Sequence, residues 1–198
     1  MAEQSALTFL PATADRWGDL EALFGARGAC GGCWCMWWRV KRADFERQKG
    51  EGNRQALRAL VDSGEVPGLL AYADGEPVGW CSVGPRESYP VLSRSPILKP
   101  VDDQPVWSIV CFFVAKSRRR TGMSARLVRA AVEYAAAQGA RIVEGYPVEP
   151  RKGETPDVFA FVGLASTFRK LGFVEVARRS ETRPIMRYYA KSSSQGAE

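Results

Sequence analysis

The stretch VAKSRRRTGMSARLVRAAVEYA, Val114 to Ala135, places Lys116, Arg118, Arg119 and Arg120 between the end of an apolar run and the start of an amphipathic one. The run before it, VWSIVCFFV over 106–114, has Ser108 as its one polar residue, the pattern of a central strand covered on both faces. Beyond it Met123, Leu127, Ala130, Ala131, Tyr134 and Ala135 recur at helical spacing, which predicts a helix from Gly122 to Gln138 stopped by Gly139. A helix that begins directly after a buried strand leaves its first amides unpaired, and its dipole adds about half a positive charge there. Phosphate is the natural occupant of such a corner. Gly122 lets the backbone adopt left-handed angles and approach a ligand, while the arginines offer charge-assisted bonds to phosphate oxygens. Two linked phosphates match this cradle; a solvated basic turn that starts a helix is the plainer reading.

Working outward, ARIVEGYPV is the next strand, parallel to the preceding one because a helix intervenes. DVFAFVGLASTFRKLGF predicts a final helix stopped at Gly172, after which FVEVARR and PIMRYYA close the sheet. Upstream, ALTFLPA alternates like a short strand, and Thr13 is placed to cap a helix carrying Trp17, Leu20 and Phe24. NRQALRALVDSG predicts a second helix, with Asn53 as its cap and Gly64 as its stop. PGLLAYADGEPVGWCSV consists of two apolar runs around Asp74-Gly75, a hairpin signal. The five prolines of GPRESYPVLSRSPILKPVDDQP mark a long loop, of the kind that is functional or mobile. The sum is a mixed α/β sheet in one domain over 1–190, with KSSSQGAE at 191–198 read as a disordered tail.

Composition narrows the function. The 198 residues contain no histidine, which removes His bases, Ser-His and Cys-His pairs and His-ligated metals. The net charge of +6 is interspersed with 22 acidic residues, favouring an anionic ligand or a local basic patch over a nucleic-acid coat. No apolar run approaches about 18 residues, and the first residues lack a basic then apolar leader, so neither membrane insertion nor secretion is expected. Five cysteines, Cys30, Cys33, Cys35, Cys81 and Cys111, are an odd number and favour reduced thiols in a cytoplasm.

Val114, Arg119, Gly122, Met123 and Ser124 in that spacing resemble the hallmark of the GNAT N-acetyltransferase superfamily, with Ser124 at the last small position. STFRKLGFVEVAR is similar to the family's second motif, in which a helix ends at Gly-Phe and feeds a strand. The resemblance implies a mostly antiparallel mixed sheet with a central, splayed parallel strand pair, flanked by about four helices. It also implies an acetyl-CoA site. The pyrophosphate is expected on the amides of Arg119, Arg120, Thr121, Gly122, Met123 and Ser124. The pantetheine arm is expected on the backbone of Phe112 and Val114, paired like an extra strand, with the acetyl carbonyl facing the Phe112 amide. Acetyl-CoA would be a co-substrate, with no metal.

Acetyl transfer needs a neutral amine and help for the departing thiolate. Many members of the family use a tyrosine four residues before the Gly of Gly-Phe as the thiolate's acid; here that position is Phe168. Ser166, Thr167, Tyr134, Tyr146 or water are the remaining candidates, Ser166 and Thr167 being the nearest in sequence. Glu144 is the acid inside the apolar strand beside the expected cleft. A carboxyl among apolar neighbours holds its proton more tightly, which suits a base near neutrality.

GACGGCWCMWWRV invites a zinc or iron–sulfur reading, but only three cysteines occur there and no histidine completes them. A reactive thiol near Arg27 or Arg39 is a second option. In the arrangement implied by the resemblance this segment walls the acceptor site. Trp34, Met36, Trp37 and Trp38 then form either an aromatic surface for a cationic or planar acceptor or simply core. The expected function is acetyl transfer to a primary amine of a small molecule or a protein, by a monomer or homodimer, with no nucleic acid or membrane partner. A non-catalytic acyl-CoA sensor is the alternative.

Overall fold

Apolar alternation in the chain resolves into one seven-stranded sheet. A computed structural model describes residues 7–150 and 161–190; the tail expected at 191–198 lies outside them. The strands are β1 (Leu7–Pro11), β2 (Gly68–Ala73), β3 (Glu76–Pro85), β4 (Trp107–Val114), β5 (Ile142–Gly145), β6 (Val174–Arg178) and β7 (Pro184–Tyr189). Their order across the sheet is β1-β2-β3-β4-β5-β7-β6. Every neighbouring pair is antiparallel except β4 and β5, which are parallel. The β2–β3 hairpin turns at Asp74 and Gly75, both at positive φ (53° and 83°), the primed geometry whose twist matches the flanking strands.

Alternate strand residues feed opposite faces. Leu69, Ala71, Cys81 and Val83 pack with Leu127, Val128 and Ala131 of helix α5 (Met123–Ala137). Leu70, Tyr72 and Trp80 pack on the other face against Trp17, Leu20 and Phe24 of α1 (Trp17–Phe24) and Leu57 of α3 (Glu51–Asp62). A third cluster, with Tyr89, Leu92, Leu98, Tyr146 and Ile185, seats the proline-rich loop against the sheet. That loop is structured in part: a 3-10 turn at Arg86–Ser88 leads into α4 (Pro90–Arg94).

Local signals were overridden at several points. Asn53 does not cap α3; Gly50 does, and Asn53 lies inside the helix, fully buried. Its amide donates to the carbonyls of Gly32 and Phe45 at 3.2 and 3.4 Å, so a residue suited to capping instead pins the glycine-rich segment. Thr13 precedes a 3-10 turn and makes no side-chain cap bond, its hydroxyl donating back to the Pro11 carbonyl at 3.4 Å. A further short helix, α2 (Arg42–Arg47), stands before α3, giving six α-helices among the described residues where about four helices were expected. The last of them, α6 (Ala165–Lys170), is shorter than the apolar pattern predicts, because Val148 bridges to Leu164 and holds the chain extended there. No helix among the described residues is long and apolar enough to cross a membrane.

Candidate functional site

The parallel pair β4–β5 is short. Trp107, Ser108 and Ile109 face Val143, Glu144 and Gly145, and there β5 ends, while β4 continues to Val114. The cause of the divergence is written in the β3–β4 register. Ser82 faces Cys111 and Val83 faces Ile109, so Val110 is an extra residue, a bulge that bends β4 at the point where the two parallel strands part. On the β5 side the gap is wedged by Phe168 of α6, which is fully buried and meets Phe112 and Phe173 at ring distances of 6.4 and 4.9 Å. Gly145 and Gly163 make room for it: a Cβ at these positions would lie 2.1 and 2.9 Å from the Phe168 ring. β4 beyond Ile109 therefore presents a strand edge that β5 does not cover.

One end of that edge runs into the basic corner. A 3-10 turn at Lys116–Arg118 follows β4, and Gly122, exposed and at φ 78°, begins α5. Met123 is buried and anchors the helix start, whereas Arg119, Arg120 and Thr121 are exposed. The corner is braced from within: Thr121 Oγ1 donates to the Arg118 carbonyl at 2.7 Å, and Arg119 Nε donates to the Val114 carbonyl at 3.2 Å. The amides of Ala125 and Arg126 fold back on the Gly122 carbonyl, so the amides before them point outward from the helix end. Ser124 is half-buried and small enough to leave this end open.

The other end of the edge opens on a cavity of about 570 Å³, lined among others by Cys111, Phe112, Phe113, Trp37, Phe45 and Trp80. Of the tryptophans assigned to the acceptor wall, Trp37 lines this cavity, as does Trp38; Trp34 does not. Trp34 is core, stacked on Trp17 at 6.1 Å and edge-on to Phe24 at 5.5 Å. Gly28 is obligatory beneath it, since a Cβ there would lie 2.1 Å from the indole nitrogen.

The cysteines also gather at this cavity: Cys30, Cys33, Cys35 and Cys111 all line it. Cys35 is held at φ 57°, after Trp34 at φ 42°, two consecutive non-glycine residues in the left-handed region. This backbone aims the Cys35 sulfur at Cys111 and at the Trp80 indole N–H, which donates to it at 3.2 Å. The hydrogen bond from Cys111 brings the Cys35 pKa down to about 7 against the opposing effect of burial, with Trp80 assisting. Burial pushes Cys33 up to about 11. All five thiols are free, and no group of three or more Cys, Asp or Glu among the described residues is placed to hold a metal ion.

Glu144 is 1% exposed, but its neighbours are not the apolar ones expected. Arg187 Nε donates to one carboxylate oxygen at 2.8 Å; Arg86 Nη1 and the Tyr146 hydroxyl donate to the other at 2.9 and 2.7 Å. Arg187 continues to Asp102 at 2.6 and 2.8 Å, and Arg86 to the Leu98 carbonyl at 2.6 Å. Two guanidiniums and a phenol hydroxyl occupy both carboxylate oxygens, and Glu144 is not on the cavity wall. The network ties the proline-rich loop to β5 and β7. Tyr146 is enclosed by it, its pKa raised by burial and by the Glu144 charge. Ser166 is exposed in the first turn of α6, Thr167 is half-buried, and Tyr134 packs edge-on to Trp107 at 5.9 Å.

A mixed sheet that opens at one parallel strand pair, between a basic helix start and an aromatic cavity, defines an acetyltransferase fold. Residues 34–150, more than half of the chain, match the acetyltransferase (GNAT) family. The protein belongs to that family and is an acyltransferase. Solved structures that it resembles include the paiA N-acetyltransferase of Thermoplasma acidophilum in complex with coenzyme A, at 13% identity and TM-score 0.53, covering 93% of this chain and 99% of that one. The aminoglycoside N-acetyltransferase AAC(6')-Iy in complex with CoA gives 16% identity and TM-score 0.55, covering 97% and 99%. A GNAT-family acetyltransferase of Streptococcus agalactiae gives 12% and 0.55, covering 93% and 96%. At such identities the likeness is one of fold. No curated protein matches the chain.

Sequence reasoning overlooked Phe161, Arg183 and Cys111 as cavity residues. Arg183 sits in the unremarkable stretch ETRPIM, and nothing in its spacing signals a site.

Proposed function

We propose that the protein transfers an acetyl group from acetyl-CoA to a primary amine, the amine attacking the thioester directly. The observation that carries this reading is the uncovered edge of β4 from Val110 to Val114, which joins the basic corner to the cavity. A pantetheine arm is an extended chain with amides of its own, and the backbone of Phe112 and Val114 offers it strand-like pairing. The amides from Arg119 to Ser124, with the Arg119 and Arg120 side chains and the Thr121 hydroxyl, suit a pyrophosphate. This puts the acetyl end at Phe112, on the cavity wall, where an amine can approach it.

The nitrogen lone pair forms the new C–N bond, the thioester C–S bond breaks, the nitrogen gives up one proton to water, and the sulfur leaves as thiolate and takes a proton. Phe168 cannot supply that proton, so Ser166 at the start of α6, or water, is the donor in this reading. We assign Glu144 a positioning role through Arg86 and Tyr146 in place of the base expected from the sequence. The free thiols fit a cytoplasmic enzyme.

Calorimetric titration of acetyl-CoA tests the donor half. Arg119→Glu is expected to weaken binding by tenfold or more, about 1.4 kcal/mol, while the melting curve of the unliganded protein stays in place. Unchanged affinity refutes the cradle. The acceptor half is tested by free CoA release over an amine panel. Binding without turnover over the whole panel marks an acyl-CoA sensor instead.

A further inference from the structure

Arg183, on the cavity wall, is a partly buried charge that no described residue answers. Nε and Nη2 of Arg183 are buried and have no hydrogen-bond partner among the described residues. Burial alone acts on this guanidinium, pushing its pKa below the ordinary arginine value. The other buried arginines are treated differently: Arg39 faces Glu65 at 2.6 Å, Arg86 faces Glu144 at 2.9 Å, and Arg187 faces Glu144 and Asp102 at 2.8 and 2.6 Å. Glu46, the carboxylate on the wall of the same cavity, is 4.0 Å from Arg42. A desolvated cation without a partner is costly, and a chain that has paired the rest of its buried guanidiniums leaves this one facing an aromatic hollow.

Arg183 nevertheless lines the cavity, and a guanidinium there meets the oxygens of a carboxylate or phosphate with charge-assisted hydrogen bonds. The surrounding wall, with Trp37, Phe45, Trp80 and Phe161, suits a planar apolar body.

We propose that Arg183 is the anchor for an anionic group on the acceptor, so that the substrate is an aromatic or bulky apolar amine that also carries a carboxylate or phosphate. This rests on the acetyltransferase reading above and narrows its acceptor. The amine lies at one end of such a molecule, toward Phe112, and the anion at the other, at Arg183.

Two measurements separate this inference from the reading beneath it. The first needs no turnover: quenching of tryptophan fluorescence by 4-methylbenzoate, by its neutral isostere 4-methylbenzamide, and by phenyl phosphate. The wild-type protein is expected to bind at least one anion about tenfold or more tightly than the amide, and which anion wins tells carboxylate from phosphate. Arg183→Gln is expected to abolish that preference and Arg183→Lys to keep part of it, with acetyl-CoA affinity unchanged in both. Equal binding of anion and amide, or a preference that survives Arg183→Gln, overturns the site. The second measurement compares 4-(aminomethyl)benzoate and its phosphate counterpart with 4-(aminomethyl)benzamide by CoA release. A tenfold or greater preference in kcat/KM for an anionic amine, lost in Arg183→Gln, supports the acceptor class. Anion binding at Arg183 with no turnover of any amine overturns its role as an acceptor anchor and removes the transferase reading with it.

Discussion

Single side chains in this protein carry consequences that their chemistry makes checkable. Arg183 has two buried nitrogens with no partner among the described residues, so Arg183→Met is expected to raise the melting temperature of the unliganded protein, by an amount equivalent to about 1–2 kcal/mol, in a thermal scan. Cys35 gives a pH signature. Its native pKa of about 7 lies below the ordinary 9.0, so the folded state holds the thiolate more readily than the unfolded chain does. The resulting stabilisation is complete above about pH 9 and is lost as pH falls through 7. Cys111, whose pKa is raised by its bond to Cys35, works in the opposite sense once pH exceeds its unfolded value. The melting-temperature gap between wild type and Cys35→Ser is therefore expected to widen from about pH 6 to about pH 8.5, and a gap independent of pH removes the thiolate assignment.

At the scale of elements, two packing devices hold the opening between β4 and β5. Gly145 ends β5 with the Phe168 ring where its Cβ would be. Gly145→Ala is expected to cost about 1–3 kcal/mol by overpacking, and Phe168→Leu in that background to recover part of it, read by chemical denaturation. The second device is the ion network through Glu144, which joins β5 to β7 and to the proline-rich loop. Glu144→Gln leaves the buried Arg86 without a counter-charge and Arg187 with Asp102 alone, and is expected to destabilise by about 3–5 kcal/mol. The same variant discriminates roles: a base lost from the reaction lowers kcat in a protein of normal stability, whereas the network predicts the stability loss first. β-bulge, glycine and buried ion pairs thus combine to keep a gap in a sheet that would otherwise close on itself.

For the whole molecule, β4 runs from the wall of the aromatic cavity to the basic corner, the path along which the proposed donor would lie. Acetyl-CoA at a hundred times its dissociation constant is expected to stabilise the fold by about 2.7 kcal/mol, seen as a raised melting temperature that Arg119→Glu diminishes. The path itself was legible only in part. VWSIVCFFV followed by RRRTGMS announced a buried strand feeding a basic helix start, because burial and helix-end chemistry are local and leave a pattern in consecutive residues. Asp74-Gly75 announced its hairpin for the same reason. Asn53 misled, since a residue that caps well in isolation was worth more as a buried clamp on Gly32 and Phe45.

What the chain determined by itself was the order of its elements, the basic, glycine-led helix start at Gly122 and the histidine-free chemistry, all properties of neighbours in sequence. Tertiary structure decided the rest. Glu144 became the centre of an ion network only when Arg86 and Arg187, 58 and 43 residues away, were brought to its two oxygens. Trp34 turned inward while Trp37 met the cavity, and Arg183 came to line that cavity without a partner among the described residues. Such roles depend on which groups are desolvated together, and desolvation is settled by packing across the whole sheet.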